Sequence, residues 1–303
     1  MIDLFDGHCD TILKCYLEGM SMCRSPGHLD LERTRKFGRY AQFFAAFGSP
    51  EDMPGRALWE VFLEEAALLQ RELEANSDRV ALCRTGAEAE AAFQAGKAAA
   101  FFSAEGAELL DCDLEKLRIA HKMGVRAVNL TWNHPNALSG TNAKEQDRGL
   151  SEQGRAFVRE MDALGMLVDV SHLSDGGFWD CIRYSTDPIV ASHSNCRELC
   201  RHPRNLTDEM LRAVGEKGGV VGLNFYSAFL TEKKERAGLE MLAEHAKRMI
   251  RMAGEDAVAL GTDFDGFERK DLPEKLEGAE RIELVWDAFQ KAGITSRQTE
   301  NCL

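Results

Sequence analysis

The 303-residue sequence lacks a long hydrophobic run, a paired CxxC motif and an excess of basic charge. Each absence removes a class of function. The apolar windows around Phe43 and Phe101 are short and soon polar, well below the roughly 20 residues of a membrane-spanning helix, so no membrane partner is expected. Asp3, Asp6, His8 and Asp10 occupy the stretch where a secretory signal would carry a basic start and an unbroken apolar core. The nine cysteines are odd in number and scattered, which fits reduced thiols in the cytoplasm rather than a disulfide framework. Cys196 and Cys200 are expected on one face of a helix, as two small buried hydrophobes. With 37 Lys and Arg against 50 Asp and Glu, the formal net charge of -13 argues against a nucleic-acid partner.

Two cofactor and nucleophile motifs are also missing. Residues 215–222 (GEKGGVVG) are rich in glycine, but they follow a helical stretch and precede a strand-like one, the reverse of a dinucleotide-binding turn. Ser192 and Ser194 flank His193 without the GxSxG elbow of a serine hydrolase. No internal repeat, low-complexity tract or linker divides the chain, so a single domain over residues 1–303 is expected.

What the sequence contains is an alternation of short apolar runs and amphipathic stretches. Strand-like runs fall at 40–47, 80–83, 98–103, 126–132, 166–172, 188–194, 219–225 and 257–263, after an opening strand that leads into residues 6–10. Between them, Ser151 caps an expected helix whose Phe157, Val158, Met161 and Leu164 form an apolar stripe that stops at Gly165. Thr207 opens another, with Asp208 and Glu209 favourable in its first turn, and Leu239, Leu242, Ala246, Met249 and Ile250 mark a third that ends near Gly254. Nine runs are close to eight plus one extra, so the expected fold is α/β, a (β/α)8 TIM barrel. The polar stretch 135–149 reads as a loop over its active face.

Barrel enzymes place their chemistry at the C-terminal ends of the strands, and polar residues punctuate those ends here. His8 and Asp10 lie two apart on the opening strand and so project from one face. Glu105, His172, His193 and Asp263 each follow an apolar run, and Leu130 and Thr131 lead to Trp132, Asn133 and His134. One barrel mouth holding that many imidazoles and carboxylates is explained by metal. His8, Asp10, Glu105, His172 and His193 make five ligands, which fits two ions sharing a bridging carboxylate, Glu105, and a bridging hydroxide. Asp263 is left to carry the proton, which points to hydrolysis of an acyl bond. Cys9, between His8 and Asp10, is expected to face away and pack. Asp265 is read as a turn cap or a support for the ligands, and His28, His121, His202 and His245 as packing or surface residues without partners.

The segments DGHCDT, SAEG, NLTW, GMLVDVSH, ASHSN, RNLTDEML, GLNFY and GTDFDG, in this order from residue 6 to residue 266, resemble the membrane (renal) dipeptidase family of zinc peptidases, in its soluble, bacterial-like branch. The resemblance implies a metal-dependent hydrolase barrel of the amidohydrolase type that cleaves dipeptides with two zinc ions. It makes His8, Asp10 and Glu105 ligands of one zinc and Glu105, His172 and His193 ligands of the other, with Asp263 as acid/base. It assigns Arg204 to the substrate carboxylate, which a guanidinium grips with two parallel hydrogen bonds, and Tyr226 to the pocket wall. Two departures stand out. The family pattern Leu-Thr-His is Leu130-Thr131-Trp132 here, with His134 two residues on as a candidate replacement in the substrate site, and the family pattern continues beyond Asn301-Cys302-Leu303, as expected of a trimmed chain. The alternatives are a binuclear amidohydrolase acting on N-acyl amino acids or cyclic amides, and a non-catalytic metal-stabilised binding protein. The oligomeric state is left open, with a homodimer as one option.

Overall fold

In a computed structural model of the chain, which describes residues 2–51 and 53–302, nine parallel strands form one sheet. They are β1 (Leu4–Cys9), β2 (Tyr40–Phe47), β3 (Val80–Leu82), β4 (Ala98–Glu105), β5 (Val125–Asn129), β6 (Leu167–Asp169), β7 (Val190–Ala191), β8 (Val220–Leu223) and β9 (Val258–Leu260). β2 pairs with both β1 and β4, β4 to β9 follow in chain order, and β9 returns to β1 through Asp6 and Leu260. Eight strands therefore close into a TIM barrel. The extra strand is β3. It pairs Val80–Leu82 with Ala98–Ala100 of β4, on the edge that β5 takes over from Phe102 onward.

The strand compositions follow from this closure. Every residue of β2 is buried, as expected of a parallel strand covered on both faces, so its sequence reads as a continuous apolar run rather than an alternation. The expected helix signals are in place. Ser151 accepts a hydrogen bond from the Gly154 amide and Gly165 ends that helix at φ +65°, while Thr207 accepts from the Met210 amide. Helix Leu239–Ala253 stops at Gly254, and Gly218 at φ +74° makes the turn before β8. Residues 135–149 form a helix-free loop tied down through Thr141, whose hydroxyl lies 2.6 Å from both the Trp132 and His172 carbonyls and shares its single proton between them.

Several expectations are corrected. Most of the later strands are shorter than their apolar runs: 188–194 contributes two ladder residues, and 166–172 contributes three. The chain leaves the ladder early because the residues that follow must turn into the mouth, with His172 at φ +69° and Asp263 at φ +60°. Cys196 and Cys200 are buried, but they span a single turn outside any helix. His28 and His245 do have partners. His28 accepts from the Asp265 amide at 3.0 Å, and His245 is fully buried between the Cys196 amide and the Leu230 carbonyl.

One close approach sets the geometry of the barrel interior. The Ser192 carbonyl enters where a Cβ on Gly222 or Gly261 would lie 1.9 or 1.8 Å from its oxygen. Only glycine lets the backbone next to His193 sit this deep.

Candidate active site

β1 delivers His8 and Asp10 to the mouth, and β4 delivers Glu105. His172, His193 and Asp263 stand just beyond β6, β7 and β9. The left-handed backbone of His172 costs on the order of 1 kcal/mol. It is held by three donors to its carbonyl: the Thr141 and Thr131 hydroxyls and the Asn142 amide.

The five expected ligands converge. Glu105 Oε1 lies 3.0 Å from His172 Nε2 and 3.3 Å from His193 Nε2, and the two Nε2 atoms are 3.0 Å apart. Glu105 Oε2 and Asp10 Oδ2 lie 3.7 and 3.6 Å from His8 Nε2. The far ring nitrogens are engaged: His172 Nδ1 with Asn133 Oδ1 at 2.9 Å and His193 Nδ1 with the Ser192 hydroxyl at 2.7 Å. An amide oxygen only accepts, so His172 carries its proton on Nδ1 and turns the Nε2 lone pair toward Glu105.

The charges have no internal resolution. Burial lifts Glu105 well above the usual carboxylate range, with Asp10 and Asp263 adding to it against the opposing pull of His8. Burial lowers His172 and His193 well below their ordinary value and so keeps them neutral. Burial also opposes charge on His8, but the carboxylates of Glu105 and Asp10 outweigh it and carry that imidazole up to about 10. His8 Nε2 and Asp10 Oδ1 are buried without a hydrogen-bond partner. Two neutral imidazoles whose lone pairs face each other, beside an unpartnered carboxylate oxygen, are the environment of a cation, so the donor set fits a metal. Ligand atoms of His8, Glu105 and His193 lie within 4.8 Å of one another, as do those of His8, Asp10 and Asp263.

A cavity of about 270 Å³ opens beside these residues, walled by Leu13, Phe47, Trp132, Tyr226, Phe229 and Phe267. Arg204 and Asp263 reach it from opposite sides in sequence. Arg204 is 4 % exposed and donates only to neutral acceptors, the Ser194 hydroxyl and the His193 carbonyl, while its Nε has no partner. Burial lowers it to about 10. Asp263 Oδ2 accepts from Asn224 Nδ2 at 2.9 Å, and burial together with the Asp10 carboxylate carries Asp263 up to about 7. Gly266 covers both acids: a Cβ there would lie 2.4 Å from Asp10 Oδ2 and from Asp263 Oδ1.

The residues of the chain match the family model of the membrane dipeptidases, peptidase family M19, over residues 1–303. The chain belongs to that family. It is a metallopeptidase. It is 30% identical, with a TM-score of 0.90 and 99% and 96% of the two chains covered, to a metallo peptidase from Rhodobacter sphaeroides solved with a phosphinate mimic of the dipeptide L-Ala-D-Ala. It is 30% identical to dipeptidase tcpJ of Claviceps purpurea, covering 91% of this chain and 67% of that one. A protein from the pqqA 5' region of Klebsiella pneumoniae is 35% identical over 80% of this chain and 91% of its own. No helix among the described residues is long and apolar enough to cross a membrane.

Of the expected site residues, His134 alone stands apart. It pairs with Glu51 at 2.9 Å in an adjoining outer cavity of about 630 Å³ and does not line the inner one. Tyr226 and Arg204 line the inner cavity. The residues that hold the ligands in place escaped sequence reasoning. Asp6 accepts from the His8 and Thr262 amides and the Thr262 hydroxyl, and Asp169 accepts from the Ser171 and Ser192 amides. Their signal was available: each is an acid inside an apolar run, two or three residues before a ligand. Asn133 and Asn224 gave no such signal, because their partners are 39 residues away along the chain.

Proposed function

We propose that this enzyme hydrolyses dipeptides with two zinc ions, one held by His8, Asp10 and Glu105 and the other by Glu105, His172 and His193. When bound, the ions would acidify a shared water toward neutrality and polarise the scissile carbonyl. The observation that carries the proposal is the crowding of three imidazoles and two carboxylates at the barrel mouth, with His8 Nε2 and Asp10 Oδ1 left without a partner.

The remaining roles belong to the chain. Arg204, buried and without a carboxylate hydrogen-bonded to it, receives the free C-terminal carboxylate of the substrate. Asp263 Oδ1, with Oδ2 held by Asn224, accepts the proton that the attacking water gives up and returns it to the leaving amine nitrogen as the C–N bond breaks. Phe47, Trp132 and Phe267 give the cavity an apolar wall. The eight cysteines whose side chains are described are free thiols, which supports a cytoplasmic setting. Metal analysis of zinc-replete protein tests the centre: close to two ions per chain are expected, and Glu105→Gln should lower both occupancies. A wild-type stoichiometry of one or less overturns the binuclear assignment.

A further inference from the structure

We propose that Trp132 determines which C-terminal side chains the enzyme accepts, favouring apolar and aromatic ones. This rests on the dipeptidase reading with Arg204 on the substrate carboxylate. Two cavities meet at the mouth, and Trp132, Asn133, Arg204 and Phe229 line both of them. Asp10, Leu13, Tyr226, Asp263 and Phe267 line only the inner one. A dipeptide anchored by its carboxylate on Arg204 therefore places its C-terminal residue at the junction, and its amino end lies inward toward Asp10 and Asp263.

Of the four junction residues, two are committed elsewhere. Asn133 is bound to His172 Nδ1, and Arg204 serves the carboxylate. Phe229 carries the Arg204 guanidinium over its ring at 5.4 Å, with His202 at 4.5 Å and Tyr226 at 4.8 Å against it. Trp132 is half-buried and lines both cavities, its ring neighbours His134 and His172 lie farther off at 5.7 and 6.2 Å, and its position is pinned. Its amide donates to Glu108 at 3.3 Å, its carbonyl accepts from Thr141, and its ring packs on Phe47 at 4.7 Å. Phe47 is fixed in turn from behind, where its amide donates to Glu65, a carboxyl buried in helix Leu58–Ala75. A rigid indole at the junction rewards a side chain that stacks on it and gives nothing to glycine.

The test compares kcat/KM for Ala-Phe and Ala-Gly, and separately for Phe-Ala and Gly-Ala, in wild type and Trp132→Leu, with metal content and circular dichroism matched. The Ala-Phe to Ala-Gly ratio should fall about tenfold in Trp132→Leu, as the loss of an aromatic contact predicts. The Phe-Ala to Gly-Ala ratio should hold, and Trp132→Phe should restore most of the lost selectivity. If Trp132→Leu does not fold, Trp132→Phe and Trp132→His carry the comparison: Trp132→Phe should keep the C-terminal ratio near wild type, and Trp132→His, with a smaller and more polar ring, should lose most of it. Unchanged C-terminal ratios in Trp132→Leu or Trp132→His, or equal loss in both series, overturn the assignment of Trp132. A wild-type enzyme that cleaves none of the four dipeptides overturns the dipeptidase reading itself, and this proposal with it.

Discussion

The two ends of the barrel are built on the same strands and have opposite chemistry. At the N-terminal end a cavity of about 220 Å³ is lined by Phe5, Gly7, Phe43, Val190, Gly222 and Leu260. At the C-terminal end, a few residues further along β1, β7 and β9, stand Asp10, His193 and Asp263. In a parallel barrel all strands end at the same face, so every loop that follows a strand contributes to one mouth. The lower end is free to be apolar and to serve stability. The upper end concentrates buried acids and imidazoles whose charges oppose folding until a cation offsets them.

The comparison can be broken by substitutions, ordered here by their effect on turnover. Asp263→Asn, at the upper end, should lower kcat by about 10²–10⁴-fold with both metals still bound, the usual weight of a positioned proton carrier. Steady-state kinetics on metal-matched protein checks this, and near-normal turnover would move the acid/base role elsewhere. Next is the Arg204 clamp. Amidating the dipeptide should cost wild type about 2–5 kcal/mol in kcat/KM, because a buried guanidinium loses its anion, while Arg204→Ala should lose little further. Equal cleavage of free and amidated dipeptides by wild type would make the N-acyl or cyclic amide chemistry the better account.

Gly222→Ala crosses between the two ends. Its Cβ would meet the Ser192 carbonyl at 1.9 Å, so the backbone beside His193 must shift. A stability loss of about 1–3 kcal/mol is expected from overpacking, with a fall in metal content, measured by denaturant titration and metal analysis. A variant with wild-type metal content would separate the two ends more cleanly than the structure does. Glu65→Gln should change turnover little and add stability. Burial lifts Glu65 well above its ordinary value of 4.5, so the folded chain keeps a proton that the unfolded chain releases. A group with a raised pKa contributes stability below its unfolded value and loses it as pH rises. The melting temperature of Glu65→Gln should therefore exceed that of wild type by a margin that widens above pH 5, and a margin that narrows would show Glu65 ionised in the fold. The control is Val220→Ala, which lines the lower cavity. It should cost about 1 kcal/mol and leave kcat unchanged.

Legibility followed range along the chain. Ser151, Gly165, Thr207 and Gly254 announced helix boundaries because a cap acts on an amide three or four residues away. His8, Asp10, Glu105, His172, His193 and Asp263 were legible as punctuation after apolar runs, since strand ends in a barrel share one face. His28, His245 and the Cys196–Cys200 turn were misjudged for the opposite reason. Their partners, Asp265, Cys196 and Leu230, lie 15 to 237 residues off, and nothing in the local pattern encodes them.

The sequence by itself determined the alternation of strand and helix, the helix ends and the set of residues able to bind a metal, because periodicity, capping and donor chemistry are local properties. Only the tertiary structure decided that β3 is the strand outside the barrel and that His134 turns to Glu51 in the outer cavity. It alone decided that Asn133 and Asn224 hydrogen-bond His172 and Asp263, and that Glu65 is a buried acid behind the pocket wall. Those outcomes depend on which distant segments closure of the barrel brings within hydrogen-bonding distance, and a hydrogen bond is made only when both partners arrive.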